Sequence, residues 1–314
     1  MSDKVTGFFD SVGVSDSDKF QPEKGRYHLY IGLGCPFAHR AWIALKLKGL
    51  DDLIDHSVTH WQAAPEGYRF INEQELAQRK GPTDYTNGSV DKLFNSKLYS
   101  EVYFRAAPNY EGRYTVPALF DTKTNTIVNN ESADLIRIFN TGFNTILPKK
   151  YADIDLYPES LRTEIDEFSD WFLELHSCPW KVVFASDQET YQAAFTKFYE
   201  LLDEFDEKLA KIHTAGGQYL VGDQLTEADI KAYVFVVRVD PLFLTLAKLN
   251  GRLIRSYANL NKWLTNLYWN HPAFKDTTDF DLIKKLGFKN PKYNTDTSGL
   301  IPIGPLPHIL PYEE

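Results

Sequence analysis

Cysteine is scarce in this chain, with two in 314 residues. So few thiols cannot make a disulfide framework, and a reducing compartment fits. Positive charge is short as well. Lys and Arg number 34 against 43 Asp and Glu, a formal net charge of −9. That balance argues against nucleic acid and anionic membranes as partners. No apolar run approaches the roughly 18 residues of a membrane span. The start, Met1-Ser-Asp-Lys4, lacks the apolar stretch of a signal peptide. The end, Pro311-Tyr-Glu-Glu314, carries no obvious address. A cytoplasmic location is expected, with no metal, and no internal repeat is visible.

Apolar and aromatic residues are plentiful, at 43% and 14%. That is ample for packed cores, and the length makes two domains the natural division. Residues 1–25 are polar and read as an irregular arm, which Phe8, Phe9 and Phe20 can pin to the body. Residues 26–145 alternate between strand and helix signals. The order is strand, helix, strand, a long insertion over 59–97, helix, two strands in a hairpin, and helix. Such an order suggests an α/β layer structure. Residues 146–158 read as a linker. Over 159–279 the spacing turns helical, with Ile165, Phe168, Phe172 and Leu175 on one face and Phe198, Leu202, Phe205 and Leu209 on another. Thr226-Glu-Ala-Asp229 is a capping box with a structural role. Residues 280–314, rich in Pro and Gly, are expected as an extended tail.

One stretch organises the first half. Tyr27–Ile31 is a short apolar strand, Gly32 and Gly34 permit a sharp turn, and Pro36 suits the first position of a helix. Cys35 therefore falls at a strand–helix junction. Unpaired N–H groups and the helix dipole favour an anion there and lower a thiol's pKa. Arg40 lies close behind and adds positive potential. His39 reads as a surface or capping group. A dithiol centre needs a second cysteine three residues on, and that position is Ala38. The site is monothiol, so an outside thiol must resolve any disulfide it forms.

Two other segments converge on this junction. Val116-Pro117 opens a strand, where a cis proline exposes the Val116 backbone. Glu131-Ser132 starts a second helix. A ligand with a thiol, an extended peptide backbone and an α-amino acid end fits all three. Val116 pairs with it as an added strand does. The Ser132 N–H and hydroxyl bind its carboxylate at the helix N-terminus, and Glu131 takes its ammonium. Glutathione has that form.

The motifs Gly34-Cys-Pro-Phe-Ala-His-Arg40, Pro108-Asn-Tyr-Glu-Gly-Arg-Tyr-Thr-Val-Pro117, Ile127-Val-Asn-Asn-Glu-Ser-Ala133, Leu225-Thr-Glu-Ala-Asp229 and Ile301-Pro-Ile-Gly-Pro305 cover nearly the whole chain beyond the arm. In them the chain resembles the cysteine-type cytosolic glutathione transferases: the omega class and, more closely, the xi class, or glutathionyl-hydroquinone reductases. The resemblance implies a thioredoxin-like α/β N-terminal domain, an all-α C-terminal domain and a homodimer. It implies Cys35 as nucleophile. Arg113, Tyr114, Thr115, Val116, Glu131 and Ser132 then form the glutathione-binding segments. Tyr68 stands in the long insertion where an aromatic residue, usually Trp, contacts glutathione. Departures are informative too. The usual Cys-Pro-Trp reads Cys-Pro-Phe. The reductases keep three tyrosines around the second substrate; here their positions hold Trp180 and Phe243, and the third falls near Gly287. Trp180, Phe184 and Phe243 are the expected second-substrate pocket, and Cys178 is expected to be a structural thiol.

The resemblance thus implies a glutathione-dependent thiol transferase or reductase whose single cysteine forms a mixed disulfide with glutathione, acting on a glutathionylated small molecule or protein thiol. Two alternatives stand beside it. One is true glutathionyl-hydroquinone reduction by the same cysteine. The other is a non-catalytic protein that binds glutathione conjugates.

Overall fold

The computed structural model describes residues 4–15, 17–64, 67–291, 293, 299–305 and 309. The chain divides into two units, Met1–Asp155 and Leu156–Glu314.

The first unit is built on a four-stranded sheet of β1 (Tyr27–Ile31), β2 (Asp55–Val58), β5 (Ala118–Asp121) and β6 (Thr126–Asn129), in the order β2-β1-β5-β6. β1 is buried along its whole length, as an interior strand covered on both faces must be. It runs parallel to β2 and antiparallel to β5. The parallel step needs a crossover, which α1 (Pro36–Leu47) supplies. α4 (Ser132–Thr141) packs against α1. The β5–β6 hairpin turns through Asn125 at φ 54°. Asp121 steadies the turn, accepting from Thr124 Oγ1 at 2.6 Å and from the buried Arg26 Nε at 2.7 Å.

The insertion over residues 59–97 is ordered by polar side chains. It holds a small β3–β4 ribbon (Ala63–Ala64 and Gly67–Tyr68) and α2 (Glu73–Ala77). Asn72 and Glu75 cap α2 reciprocally, and Arg69 grips Glu75 through two nitrogens at 2.7 and 2.8 Å. Ser89 seals the insertion onto β2: its N–H donates to Val58 O, and its hydroxyl accepts from Val58 N, both at 2.8 Å. α3 (Tyr99–Ala106) follows.

The arm resembles an extra edge strand more than a loose tail. Phe9 bridges antiparallel to Asn129, and Val5 bridges parallel to Tyr110. Phe20 is buried and Phe8 stacks on Tyr110, as pins should. Phe9 is 73% exposed and pins nothing with its ring. His39 also departs from expectation. It is 2% exposed, because the α1 face that carries it turns into the unit's core. Part of the expected linker is helical, as α5 (Lys149–Ala152), and the buried Lys48 ties it down by donating to Ile154 O at 2.6 Å.

The second unit is helical. α6 (Arg162–Val183) and α7 (Gln188–Thr214) are its long pair, followed by α8 (Glu227–Val236), a π-helical turn at Val239–Phe243, α9 (Leu244–Leu246), α10 (Ala258–Asn270), α11 (Pro272–Lys275) and α12 (Phe280–Phe288). Ile165, Phe172, Leu175, Phe198, Leu202, Phe205 and Leu209 are all buried, and Phe168 is half-buried. Asp229 is the polar centre. Its carboxylate accepts from Leu220 N, Thr226 N and Trp263 Nε1 at 3.0, 3.1 and 3.0 Å.

α12 corrects the expectation of an extended tail from residue 280. Asp279 caps it through Leu282 N at 2.9 Å, and Leu282, Ile283 and Phe288 are buried. A cap and a helical apolar spacing outweigh the later Pro and Gly residues. Gly287 sits where α12 meets the π-helical turn, and a Cβ there would run into Leu242 Cδ1. Beyond α12, residues 301–305 are without regular structure, with a cis bond at Gly304–Pro305. Lys284 Nζ holds this stretch by donating to Pro302 O and Ile303 O at 3.1 and 2.6 Å.

His28 and His56 lie on β1 and β2 and donate to or accept from Ser57 and Tyr85 hydroxyls at 2.8 and 2.9 Å. Burial pushes both down to about 4, with Lys92 adding to the effect at His56. The unfolded chain therefore binds more protons than the native one between pH 4 and about 6.5, so stability falls on acidification through that window. Each pKa unit is worth about 1.4 kcal/mol. Urea unfolding at pH 7, 5.5 and 4 should show a loss of several kcal/mol, reduced in the His28→Gln, His56→Gln double variant. Identical slopes in the two proteins would rule out these histidines as the cause.

Candidate active site

Cys35 is the N-cap of α1, extended at φ −76° and ψ 124°, with Pro36 as the first helical residue. Its N–H donates to Gly32 O at 3.0 Å and its carbonyl accepts from His39 N at 2.9 Å. The thiol is half-buried, and Sγ donates to Val116 O at 3.8 Å. The Val116–Pro117 bond is cis. Gly32 explains the close approach. A Cβ there would lie 3.0 Å from Thr59 Oγ1 and 3.2 Å from Val116 Cγ2. A side chain at this position would require the Thr59 and Val116 side chains to give way by a few tenths of an ångström. Ala38, where a second thiol would stand, is buried. The Arg40 guanidinium lies 4.9 Å over the Phe37 ring.

The run from Arg113 to Val116 is held by carbonyl contacts. Tyr110 donates to Arg113 O at 2.9 Å and Tyr103 to Thr115 O at 2.6 Å. Arg113 is exposed, Tyr114 and Thr115 are half-buried, and Val116 is buried. Tyr68 belongs to the β3–β4 ribbon, opposite Ala63. A Cβ on its neighbour Gly67 would be 3.3 Å from the Tyr114 ring, so the insertion reaches this run.

Glu131 caps α4 and is exposed. Its Oε1 accepts from Ala133 N and Ser132 Oγ, each at 3.3 Å, while Ser132 is buried. Asn129 Oδ1 accepts from Glu131 N at 2.7 Å and sets the entry to the helix. The residue between them, Asn130, was missed in the sequence. Its Nδ2 reaches Thr115 Oγ1 and the Tyr103 hydroxyl, each at 3.4 Å. Its signal was an Asx pair directly before a helix cap, where such side chains bond nearby backbone. Cys35 thus meets the 113–116 run at Val116, Asn130 ties that run to the turn before Glu131–Ser132, and Tyr68 lies in the ribbon beside Gly67.

In the second unit, Trp180 gathers an aromatic cluster. Its ring centroid is 6.4 Å from Phe184, nearly parallel, and 5.5 Å from Phe243, edge-on. Tyr293 joins at 4.9 Å. Its position beyond α12, in a stretch read as tail, hid it in the sequence. Phe184 is 57% exposed and Phe243 only 3%. Cys178 is fully buried on α6 and donates to Glu174 O at 3.3 Å. Burial pushes its thiol up, which disfavours the reactive thiolate.

Two family models match: "Glutathione S-transferase, N-terminal domain" over residues 34–141 and "Glutathione S-transferase, C-terminal domain" over 188–266. A relative in Schizosaccharomyces pombe, glutathione S-transferase omega-like 2, is 41% identical over 92% of this chain and 88% of its own length. The chain belongs to the glutathione S-transferase family. Glutathionyl-hydroquinone reductase YqjG of Escherichia coli is 37% identical over 93% of this chain and 83% of its own. Among solved structures, the Xi glutathione transferase ECM4 of Saccharomyces cerevisiae, in complex with glutathione, superposes with a TM-score of 0.88 at 33% identity, covering 100% of this chain and 99% of that one. The fold is therefore that of the Xi transferases, a thioredoxin-like domain followed by a helical one. The chain is a glutathione-dependent transferase or oxidoreductase, with glutathione as cosubstrate. Among the described residues no helix is long and apolar enough to cross a membrane.

The two thiols of this transferase should separate under alkylation. Iodoacetamide at neutral pH should add once, at Cys35, with Cys178 reacting only in denaturant. Peptide mapping that found native label chiefly on Cys178 would contradict the burial described.

Proposed function

We propose that this transferase is a monothiol glutathione-dependent thiol transferase. The carrying observation is the single half-buried thiol of Cys35 at the start of α1, beside the Val116 carbonyl. The Cys35 thiolate attacks the glutathionyl sulfur of a mixed disulfide. The Cys35–glutathione disulfide forms and the substrate thiolate leaves. The thiolate of a second glutathione then attacks the glutathione sulfur, releasing oxidised glutathione and restoring Cys35. Val116 pairs with the glutathione backbone, Arg113, Tyr114, Thr115 and Tyr68 line it, Ser132 binds its γ-glutamyl carboxylate and Glu131 its ammonium. The substrate is a glutathionylated small molecule or protein thiol, whose aromatic or apolar part takes the Trp180, Phe184 and Phe243 cluster. The protein works in the cytoplasm as a homodimer, which light scattering should report as twice 36.1 kDa.

A second reading is favoured by Tyr293. In glutathionyl-hydroquinone reduction the same thiolate takes the glutathionyl sulfur from the ring, the ring carbon–sulfur bond breaks, and the ring carbon gains a proton. Disulfide exchange needs no proton delivered to carbon. The Trp180 indole N–H donates a hydrogen bond but does not shuttle a proton near neutral pH, and Phe243 does neither. Tyr293 places a phenol against Trp180. Positioned acid–base groups typically supply about 10²–10⁴ in rate.

Cys35→Ser should abolish exchange with a simple glutathione mixed disulfide while leaving the fold intact. A wild type that binds glutathione without turnover would instead be a binding protein. Glu131→Ala should weaken glutathione binding by about 1.5–3 kcal/mol in calorimetry; an unchanged affinity removes it as the anchor. Wild type should favour mixed disulfides over glutathionyl-hydroquinones in kcat/KM. Trp180→Tyr should raise the second activity more than the first, and Tyr293→Phe should lower only the second. A tenfold or larger wild-type preference for glutathionyl-hydroquinones, lost in Tyr293→Phe, would establish the second reading over the first.

A further inference from the structure

The arm lies along the segments proposed to hold glutathione, and its contacts converge on one side chain. Asn130 Oδ1 accepts from Phe8 N at 2.8 Å, and the Asn130 N–H donates to Phe8 O at 3.1 Å. The same amide points its Nδ2 at Thr115 Oγ1 and the Tyr103 hydroxyl. Asn130 thus uses both ends of its amide. One end holds the arm; the other holds the residue before Val116. Its own chain neighbour is Glu131.

A second set of contacts runs in parallel. The Phe8 ring stacks on Tyr110, with centroids 5.7 Å apart and an interplanar angle of 13°. Tyr110 donates to Arg113 O at 2.9 Å, and its hydroxyl is also 3.4 Å from Thr6 O. Val5 O accepts from Glu111 N at 2.8 Å. The arm therefore touches the start of the 110–116 run and the turn before α4 directly, and the far end of the run through Asn130.

We propose that the arm is a working part of the glutathione site, with Phe8 and Asn130 as positioning residues. Neither touches the ligand in this proposal. They fix the Thr115–Val116 backbone and the Glu131 cap relative to each other before glutathione arrives. Arg113 and Glu131 are exposed, and holding their segments in advance removes an ordering cost from binding. The proposal rests on the glutathione site described above and concerns what keeps that site in shape.

The test uses the full chain and glutathione itself. Phe8→Leu keeps an apolar side chain but removes the stacked ring. Asn130→Ala removes both amide contacts, and Asn130→Asp keeps only the acceptor for Phe8 N. Lys4→Ala, which removes an exposed ion pair to Glu111, is the control. Calorimetry should show glutathione affinity about three- to tenfold weaker in Phe8→Leu, the size of one lost ring stack, and in Asn130→Ala, the size of one lost hydrogen bond. Asn130→Asp should fall between Asn130→Ala and wild type, and Lys4→Ala should match wild type. The double variant should be weaker than either single one, because Phe8→Leu removes the ring on Tyr110 while Asn130→Ala removes the amide contacts. Alkylation of Cys35 without glutathione should stay within about twofold of wild type. A lower melting temperature with unchanged glutathione affinity would make these contacts merely structural and overturn the proposal. If wild type itself does not bind glutathione, the site reading fails and this inference with it; if wild type binds and all variants bind equally, only this inference fails.

Discussion

Gly32 has no Cβ, and the side chains of Thr59 and Val116 close in on the space this leaves. Both would crowd a side chain at that position. With it absent, the turn after β1 lies flat against the start of β5, and Cys35 Sγ comes within 3.8 Å of Val116 O. The strand–helix junction and the strand entry then form one surface. The Cys35 thiol and the Val116 carbonyl are held together by that approach. The remaining segments lock onto this pair. Tyr103 and Tyr110 take up the carbonyls of Thr115 and Arg113, and Ser89 fastens the insertion to the end of β2.

The two thiols show how environment divides one chemistry. Cys35 ends a turn, half-exposed, at the N-terminus of a helix. Cys178 lies inside α6, fully buried, with its S–H given to a carbonyl one turn back. Burial disfavours a thiolate, so the second cysteine behaves as a small apolar residue. In the second unit, buried polarity is spent on architecture. Asp229 collects backbone and indole donors from three places in the chain, and burial still pushes it up to about 6. The π-helical turn at Val239–Phe243 presents the Phe243 ring to Trp180, and α12 can pack on that turn because Gly287 yields room to Leu242.

A large ring at position 287 would meet Leu242, and the phenol that reaches the Trp180 ring is that of Tyr293. The aromatic cluster so formed is apolar except for one indole and one phenol.

Much of the fold was legible in the chain because its signals are local. A strand, two glycines, Cys35 and Pro36 specify a junction within ten residues. The Thr226–Asp229 box and the apolar spacings of α6 and α7 do the same for the helical half. The monothiol character of the site came from Ala38 alone. Other features depended on residues far apart in sequence. Asn130 meets Phe8 across 122 positions, and no periodicity announces that pairing. His39 looked like a surface group until the packing of α1 against α4 placed it inside. α12 was hidden by the Pro- and Gly-rich stretch after it, and Tyr293 by the loop that carries it. Local backbone preferences and caps are written within a turn or two of each residue. Which side chains meet across the sheet edge or beyond a helix end is decided only when the chain has folded back on itself, since burial and hydrogen bonding there belong to the partners jointly.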